Sequence, residues 1–448
     1  MRNMDMTHGG MVRKILLFAL PLAASSIIQQ LYNSIDVAVV GRFASSEALA
    51  AVGSNGALIN LIINIFIGMS VGANVLIAHH IGQRNHGAIK QAVSTSMVVA
   101  VVGGVAVMLL GIALARPILE WMDTPPDVIE LSTLYLRIYF LGMPFLMVYN
   151  FGAAVLRGMG DTRRPLYCLL VSGVVNTVIN LILVIGFDMS VAGVAIGTVV
   201  SFVVNAVWVT VLLLREAEPF SLRTCRFRIY RSEMVRMIQI GVPAGVQGMV
   251  FSIANIFIQT AINRCGADAV AGSAAALNFE YYCYFVINSF TTAATTFVGQ
   301  NYGAGNIERC RRAWRLCMVM SVAACAACNI GFWWQEDFFL SLFSTDANVM
   351  DYGFRRMETV LVWQWVACSY EISGGALRGL GHSAVPALLT VFGTCLLRLV
   401  WIYTIYPLYP TFETLMMVFP VSWAITGMMV VVAYLLVLRR LSHVALNV

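Results

Sequence analysis

Asp36 closes the stretch Gln29-Gln30-Leu31-Tyr32-Asn33-Ser34-Ile35-Asp36 inside an otherwise apolar run. A charge in such a setting is costly and usually marks a functional group. Further along, Asn176 and Asn180 stand four residues apart, so they share one helical face, and Thr198 follows in the next apolar run. Asp36 lies five residues before Gly41, where its run ends, Asn180 precedes Phe187 by seven, and Thr198 follows Ser190 by eight. At 1.5 Å per residue these positions sit roughly 8–12 Å below the outer boundary. Four oxygen-bearing side chains at one level, with a single carboxylate, suit a small hard cation. A carboxylate in low dielectric can instead hold a proton. Taken singly, Asp36 reads as an interfacial group and the asparagines as interhelical hydrogen bonders; the matching depth favours the shared site.

Other polar residues lie within apolar runs. Glu280, Glu371 and Arg398 are charged, and Tyr32 and Asn33 stand about one turn before Asp36. The bland reading of the three charges is a structural ion pair that neutralises Arg398. The sharper one makes Glu280 or Glu371 a counter-charge for a cationic substrate, or a second proton site. We carry all five residues as candidates for a substrate or second proton site.

The elements that must position these groups are transmembrane helices. Of 448 residues 59% are hydrophobic and only 11% charged, against roughly 25% charged in soluble domains. Twelve runs can cross ~30 Å of hydrocarbon: 14–40, 52–78, 89–115, 130–156, 166–186, 191–214, 236–262, 273–298, 312–335, 353–377, 385–406 and 416–438. The run after the basic leader Met1 to Lys14 is too long for a signal-peptide core and reads as the first span. With the first connection placed outside, inner segments hold most of the basic residues, including Arg13, Lys14, Arg84, Lys90, Arg163, Arg164, the stretch from Arg223 to Arg236, Arg309 to Arg315, Arg439 and Arg440. Glu120, Asp123, Asp127, Glu130, Glu336, Asp337, Asp346 and Asp351 fall outside. This positive-inside bias puts both termini in the cytoplasm, and it assigns the net charge of +6 to a lipid bilayer rather than to nucleic acid.

The chain repeats itself. Leu156-Arg157-Gly158-Met159-Gly160 with Pro165 recurs as Leu377-Arg378-Gly379-Leu380-Gly381 with Pro386, and Gly82-Gln83 as Gly299-Gln300. Pro21, Asn33 and Arg42 match Pro243, Asn255 and Arg264; the offsets are 221, 217 and 222 residues. An even number of spans per half makes the repeat parallel, about an axis along the membrane normal. The expected fold is an all-α membrane protein of twelve transmembrane helices in two pseudo-symmetric six-helix bundles. Its parts are an N-lobe at 1–214, a cytoplasmic linker at 215–235 and a C-lobe at 236–448, with Pro21 and Pro243 as hinges. The cation set is not repeated: Asp36, Asn176 and Asn180 correspond to Ile258, Leu397 and Trp401.

Together these residues resemble the multidrug and toxic compound extrusion family. The resemblance rests on Pro21 with Asp36 after it, on Leu-Arg-Gly-x-Gly followed by Pro in each half, and on Gly-Gln pairs, the second in Val298-Gly299-Gln300-Asn301-Tyr302-Gly303-Ala304-Gly305. It covers roughly 12–440. It implies a secondary active antiporter of bacterial type, exporting amphipathic, often cationic organic compounds across the plasma membrane in exchange for Na⁺ or H⁺. The family's N-lobe cation site maps onto Asp36, Asn176, Asn180 and Thr198, with a backbone carbonyl near Val194 as a further ligand. Some members carry an acid on the seventh helix, and this chain has none between Pro243 and Ile262. It is closer to the bacterial subgroup with Glu on helices eight and ten.

The alternative is a lipid-linked oligosaccharide or lipid flippase of the same superfamily, whose anionic cargo would call for many basic residues within the spans, where Arg398 stands alone. An intramembrane enzyme would need a mid-membrane nucleophile or metal set, yet His8, His79, His80, His86, His382 and His443 all fall at inner ends. Cys325-Ala-Ala-Cys328 has the spacing of a metal or redox pair but reads as small residues easing helix packing. No cofactor and no resident metal beyond a Na⁺ is expected, and the protein is expected to act as a monomer.

Overall fold

The chain is described here by a computed structural model covering residues 4–122 and 124–446; Asp123 of the outer acidic set lies outside them. The described residues form helices and no strand. In chain order these are α1 Val12–Phe43, α2 Ser46–Gly82, α3 His86–Trp121, α4 Pro126–Leu141, α5 Met143–Gly158, α6 Arg163–Leu181, α7 Ser190–Leu214, α8 Arg231–Asn263, α9 Ala267–Gly303 and α10 Ile307–Trp334. There follow α11 Glu336–Ser341, α12 Ala347–Arg356, α13 Cys368–Gly379, α14 Ala384–Thr390, α15 Leu397–Thr404, α16 Phe412–Met416 and α17 Val418–Leu446. Short π-helical pieces join α14 to α15 and extend α6 and α12.

Nine of the described helical stretches are long and apolar enough to cross a bilayer, ten when α4 and α5, bent by 46°, count as one span. The other two of the twelve expected spans are α9 and the broken path from α12 through α13. They carry Glu280 and Glu371, and α9 also holds Asn278, Asn288 and Thr291, Thr292, Thr295 and Thr296. Their polarity is tolerated because α9 packs against α10, α12 and α13 rather than facing lipid alone. Its threonines return their hydroxyls to backbone carbonyls, as Thr295 does to Thr291 at 2.9 Å and Gly375 at 3.0 Å.

The repeat is visible at the helix ends. After α2, the Gln83, Arg84 and Asn85 amides donate to His79, Ile81 and His80 carbonyls; after α9, Ala304, Gly305 and Asn306 donate to Gln300, Tyr302 and Asn301. Arg84 and Gly305 both take positive φ, 53° and 73°, and Asn85 and Asn306 both cap the next helix. The turns after α5 and α13 match likewise, with Gly160 at φ 91° and Gly381 at 86°. This corrects the pairing of Gly82-Gln83 with Gly299-Gln300. The backbone turn aligns Gly82 with Gly303, one helical turn further on, because the left-handed residue and the capping asparagine set the register.

The described chain clusters into two compact units: 1–4 with 24–241, and 5–23 with 242–448. These bounds differ from the expected 214 and 236, since α1 gives its residues up to Ala23 to the second unit and α8 gives its start up to Gly241 to the first. Side chains explain both assignments. In the first unit, α8 crosses α2 at two bare positions: a methyl on Gly72 would meet the Met237 carbonyl at 2.5 Å, and one on Gly241 would meet Met69 Cα at 2.6 Å. In the second, Phe18 packs edge-on against Phe297 at 5.9 Å, and Asn301 and Arg309 each donate to the Met6 carbonyl at 3.2 Å. The stretch between α7 and α8 is docked rather than free: Ser94 Oγ donates to the Arg228 carbonyl, and Thr95 Oγ1 accepts from the Tyr230 amide.

Gly305 has open space where a side chain would go, so only its positive φ opposes substitution. Gly305→Ala is expected to destabilise the protein by about 1 kcal/mol, measured as a lower thermal midpoint in detergent.

Candidate functional site

Local packing brings the first unit's polar set together. The Tyr32 ring of α1 lies on bare Gly173 of α6, where a methyl would stand 1.6 Å from it, and its hydroxyl donates to the Leu170 carbonyl at 3.2 Å. This contact fixes α1 on α6 one turn before Asp36. Asn180 Nδ2 then donates to Asp36 Oδ1 at 2.5 Å and to Asn176 Oδ1 at 3.3 Å. Thr198 and Asn176 also stand close to the Asp36 carboxylate, outside direct hydrogen bonding with it. Thr198 Oγ1 donates to the Val194 carbonyl at 3.0 Å, which places that carbonyl beside the set. Asp36, Asn176, Asn180, Thr198 and Val194 are therefore brought together. Asn33 is exposed and makes no hydrogen bond among the described residues.

Gly197 of α7 supplies the room. A methyl there would lie 1.8 Å from Asn180 Oδ1, so the amide fits only against bare backbone. Asn180 is fully buried, and its Oδ1 has no donor. A buried amide oxygen without a donor, beside a carboxylate, a second amide oxygen, a hydroxyl and a carbonyl, is chemically an unfilled acceptor. Such a set fits Na⁺, or a proton on Asp36. Among the described residues no group of three His, Cys, Asp or Glu could hold a metal.

Sequence reasoning missed two residues here. Tyr135 and Tyr139 of α4 lie close enough to feel the Asp36 charge; their rings are stacked at 6.0 Å, and Tyr139 meets Phe202 edge-on at 5.6 Å. Their four-residue spacing was the available signal.

In the second unit no ion pair to Arg398 forms among the described residues, which leaves the bland reading of the three charges without its pair. Glu280 is gripped instead by the fork of Arg356, Nε to Oε1 at 2.6 Å and Nη2 to Oε2 at 2.9 Å, while Arg356 Nη1 donates to Ser273 at 2.6 Å. Both side chains are nearly buried. The pair forms because α12 lies along α9 and ends opposite Glu280, and a planar guanidinium matches a carboxylate edge to edge. Arg356 was missed because it adjoins Arg355, which read as the outer rim of a span. Glu371 has no ion pair among the described residues; it stands two turns before Arg378, which donates to Gln247 at 2.9 Å. Pro21 and Pro243 lie inside continuous α1 and α8. Cys325 is buried beside Asn329 at 3.7 Å, a packing position.

The family described as MatE matches residues 21–182 and 243–404, two segments of equal length. Among curated proteins, the chain is 27% identical to the "Probable multidrug resistance protein YoeA" of Bacillus subtilis, over 85% of this chain and 84% of that one. It is 25% identical to the "Probable multidrug resistance protein NorM" of Thermotoga maritima, over 86% and 84%. Among solved structures, it superposes with a TM-score of 0.92 on "MATE in the straight conformation", at 20% identity and 99% coverage of both chains. The same score holds for an outward-facing multidrug resistance MATE family transporter, at 21% identity and 99% coverage of both.

The tight fit at Gly197 has a measurable consequence. Gly197→Ala is expected to destabilise the protein by about 1–3 kcal/mol, as overpacking does, while Gly186→Ala, at a position with open space, is expected to stay within about 0.5 kcal/mol. Thermal midpoints of the two purified variants in detergent distinguish them.

Proposed function

The chain belongs to the MatE family, a family of membrane transporters and not of enzymes, and we propose that it is a secondary active antiporter exporting amphipathic, often cationic organic compounds. The coupling ion is Na⁺ or H⁺, the setting is the bacterial plasma membrane with both termini cytoplasmic, and the working unit is a monomer. Support for multidrug export comes from the names of its relatives; the coupling reading rests on one observation. That observation is the Asp36–Asn180 contact, with an unpartnered amide oxygen beside it.

In this reading the Asn180 amide group and an incoming cation compete for Asp36. A cation among the Asp36, Asn176, Asn180, Thr198 and Val194 oxygens requires Nδ2 to turn away from the carboxylate. A proton on Asp36 removes the charge that holds Nδ2 in place. Either event changes how α1 and α6 pack, and substrate affinity falls through differential stabilisation of two states. Pro21 and Pro243 lower the bending cost of α1 and α8, since each removes a backbone hydrogen bond. Glu371 is the acid left to face a cationic substrate, Glu280 being paired with Arg356.

Asp36→Asn is expected to reduce drug resistance to the level of cells lacking the transporter while expression stays normal; a fully active variant would overturn the site. Ethidium transport in inverted membrane vesicles, under an imposed Na⁺ gradient and separately under an imposed pH gradient, is expected to respond to one of them. Transport that follows neither gradient would reject antiport.

A further inference from the structure

Arg398 of α15 is 1% exposed and heads the large side chains buried among the described residues. Its guanidinium lies over two aromatic rings, 5.1 Å from the centre of Phe251 and 4.6 Å from that of Phe419. Along the edge of the guanidinium, Nη1 donates to Asn255 Oδ1 at 2.9 Å and Nε to Ser422 Oγ at 3.4 Å. The remaining nitrogen, Nη2, is buried and has no acceptor.

The charge is uncompensated as well. No carboxylate pairs with Arg398 among the described residues, and Glu280 spends both oxygens on Arg356. Arg356 lies over the same Phe419 ring, at 5.4 Å. Two guanidinium groups thus share one ring while the carboxylate beside them is taken by Arg356 alone, leaving one net positive charge in a low-dielectric interior. Arginine does not release its proton under such conditions. A water molecule could satisfy the N–H but not the charge.

The internal repeat sharpens the point. An offset of 221 residues sets Arg398 against Thr177, the neighbour of Asn176, and an offset of 222 sets its partner Asn255 against Asn33, one turn before Asp36. The second half therefore places a cationic group at the station where the first half gathers oxygens.

We propose that Arg398 Nη2 seats one monovalent anionic group, a halide or a carboxylate, which completes the charge balance of the Arg356–Glu280–Arg398 cluster. With one net charge to balance, the site selects against polyanions. The inference goes beyond the cation reading and needs no part of it.

The test uses the purified full-length protein in detergent, in potassium sulfate at fixed ionic strength, into which chloride, bromide or acetate is titrated. Thermal midpoint and tryptophan fluorescence are expected to shift saturably in the wild type, and the shift is expected to vanish in Arg398→Gln. A response to halides alone identifies a halide site, and a response to acetate, alone or with halides, identifies a site open to carboxylates; each of these supports the proposal. Should Arg398→Gln fail to accumulate, Arg398→Lys keeps the charge but loses the fork, and is expected to weaken anion binding about tenfold. No saturable shift in the wild type, a shift unchanged in Arg398→Gln, or wild-type affinity in Arg398→Lys would overturn the proposal.

Discussion

A carboxylate inside hydrocarbon has no water to solvate it, so the protein must supply the solvent, and Asn180 does so for Asp36. Everything local follows from bringing that amide to that oxygen. Helices with ordinary side chains at the crossing would hold α1, α6 and α7 too far apart. Gly173 lets the Tyr32 ring lie on the α6 backbone, and Gly197 lets the Asn180 amide lie on that of α7. The polar set depends on two residues that contribute no polar side chain. Small residues at helix crossings are the general route to close approach in lipid, where apolar burial gives helices little reason to associate.

The two halves share a backbone plan and differ in electrostatics. Their turns agree down to the left-handed residues, Arg84 with Gly305 and Gly160 with Gly381. Yet the first unit holds an acid cradled by amides, while the second holds a buried guanidinium between aromatic rings beside an already satisfied acid. Backbone symmetry is maintained by capping and by φ, which side chains deep in the span do not influence. Duplicated architecture therefore leaves each half free to acquire its own polarity.

Much of this was legible in the sequence. Span length and apolarity revealed the helices, because few other structures satisfy the backbone in lipid. The offset repeats revealed two bundles, and depth counting from span ends selected Asp36, Asn176, Asn180 and Thr198, which the structure does bring together. What was not legible depends on rotation and partner choice. The Gly82-Gln83 motif was matched one turn out of register, since two letters carry no φ. Arg356 was overlooked because its neighbour Arg355, paired with Asp351 and Glu413, reads as interfacial, and only the placement of α12 against α9 turns Arg356 inward. Glycines 173 and 197 could not be singled out among 36, because their role exists only in the neighbour each one admits.

The division of α1 and α8 between units bears on how the molecule is built. A ribosome delivers residues 5–23 well before the rest of their unit, which resumes only at Val242. Conversely, the first unit stays unfinished until the chain has been made as far as Gly241. The opening turns of α1 must therefore wait in the bilayer through half of synthesis before their own core exists. A gene cut within the 215–230 stretch would leave each fragment lacking a helical segment that only the other encodes.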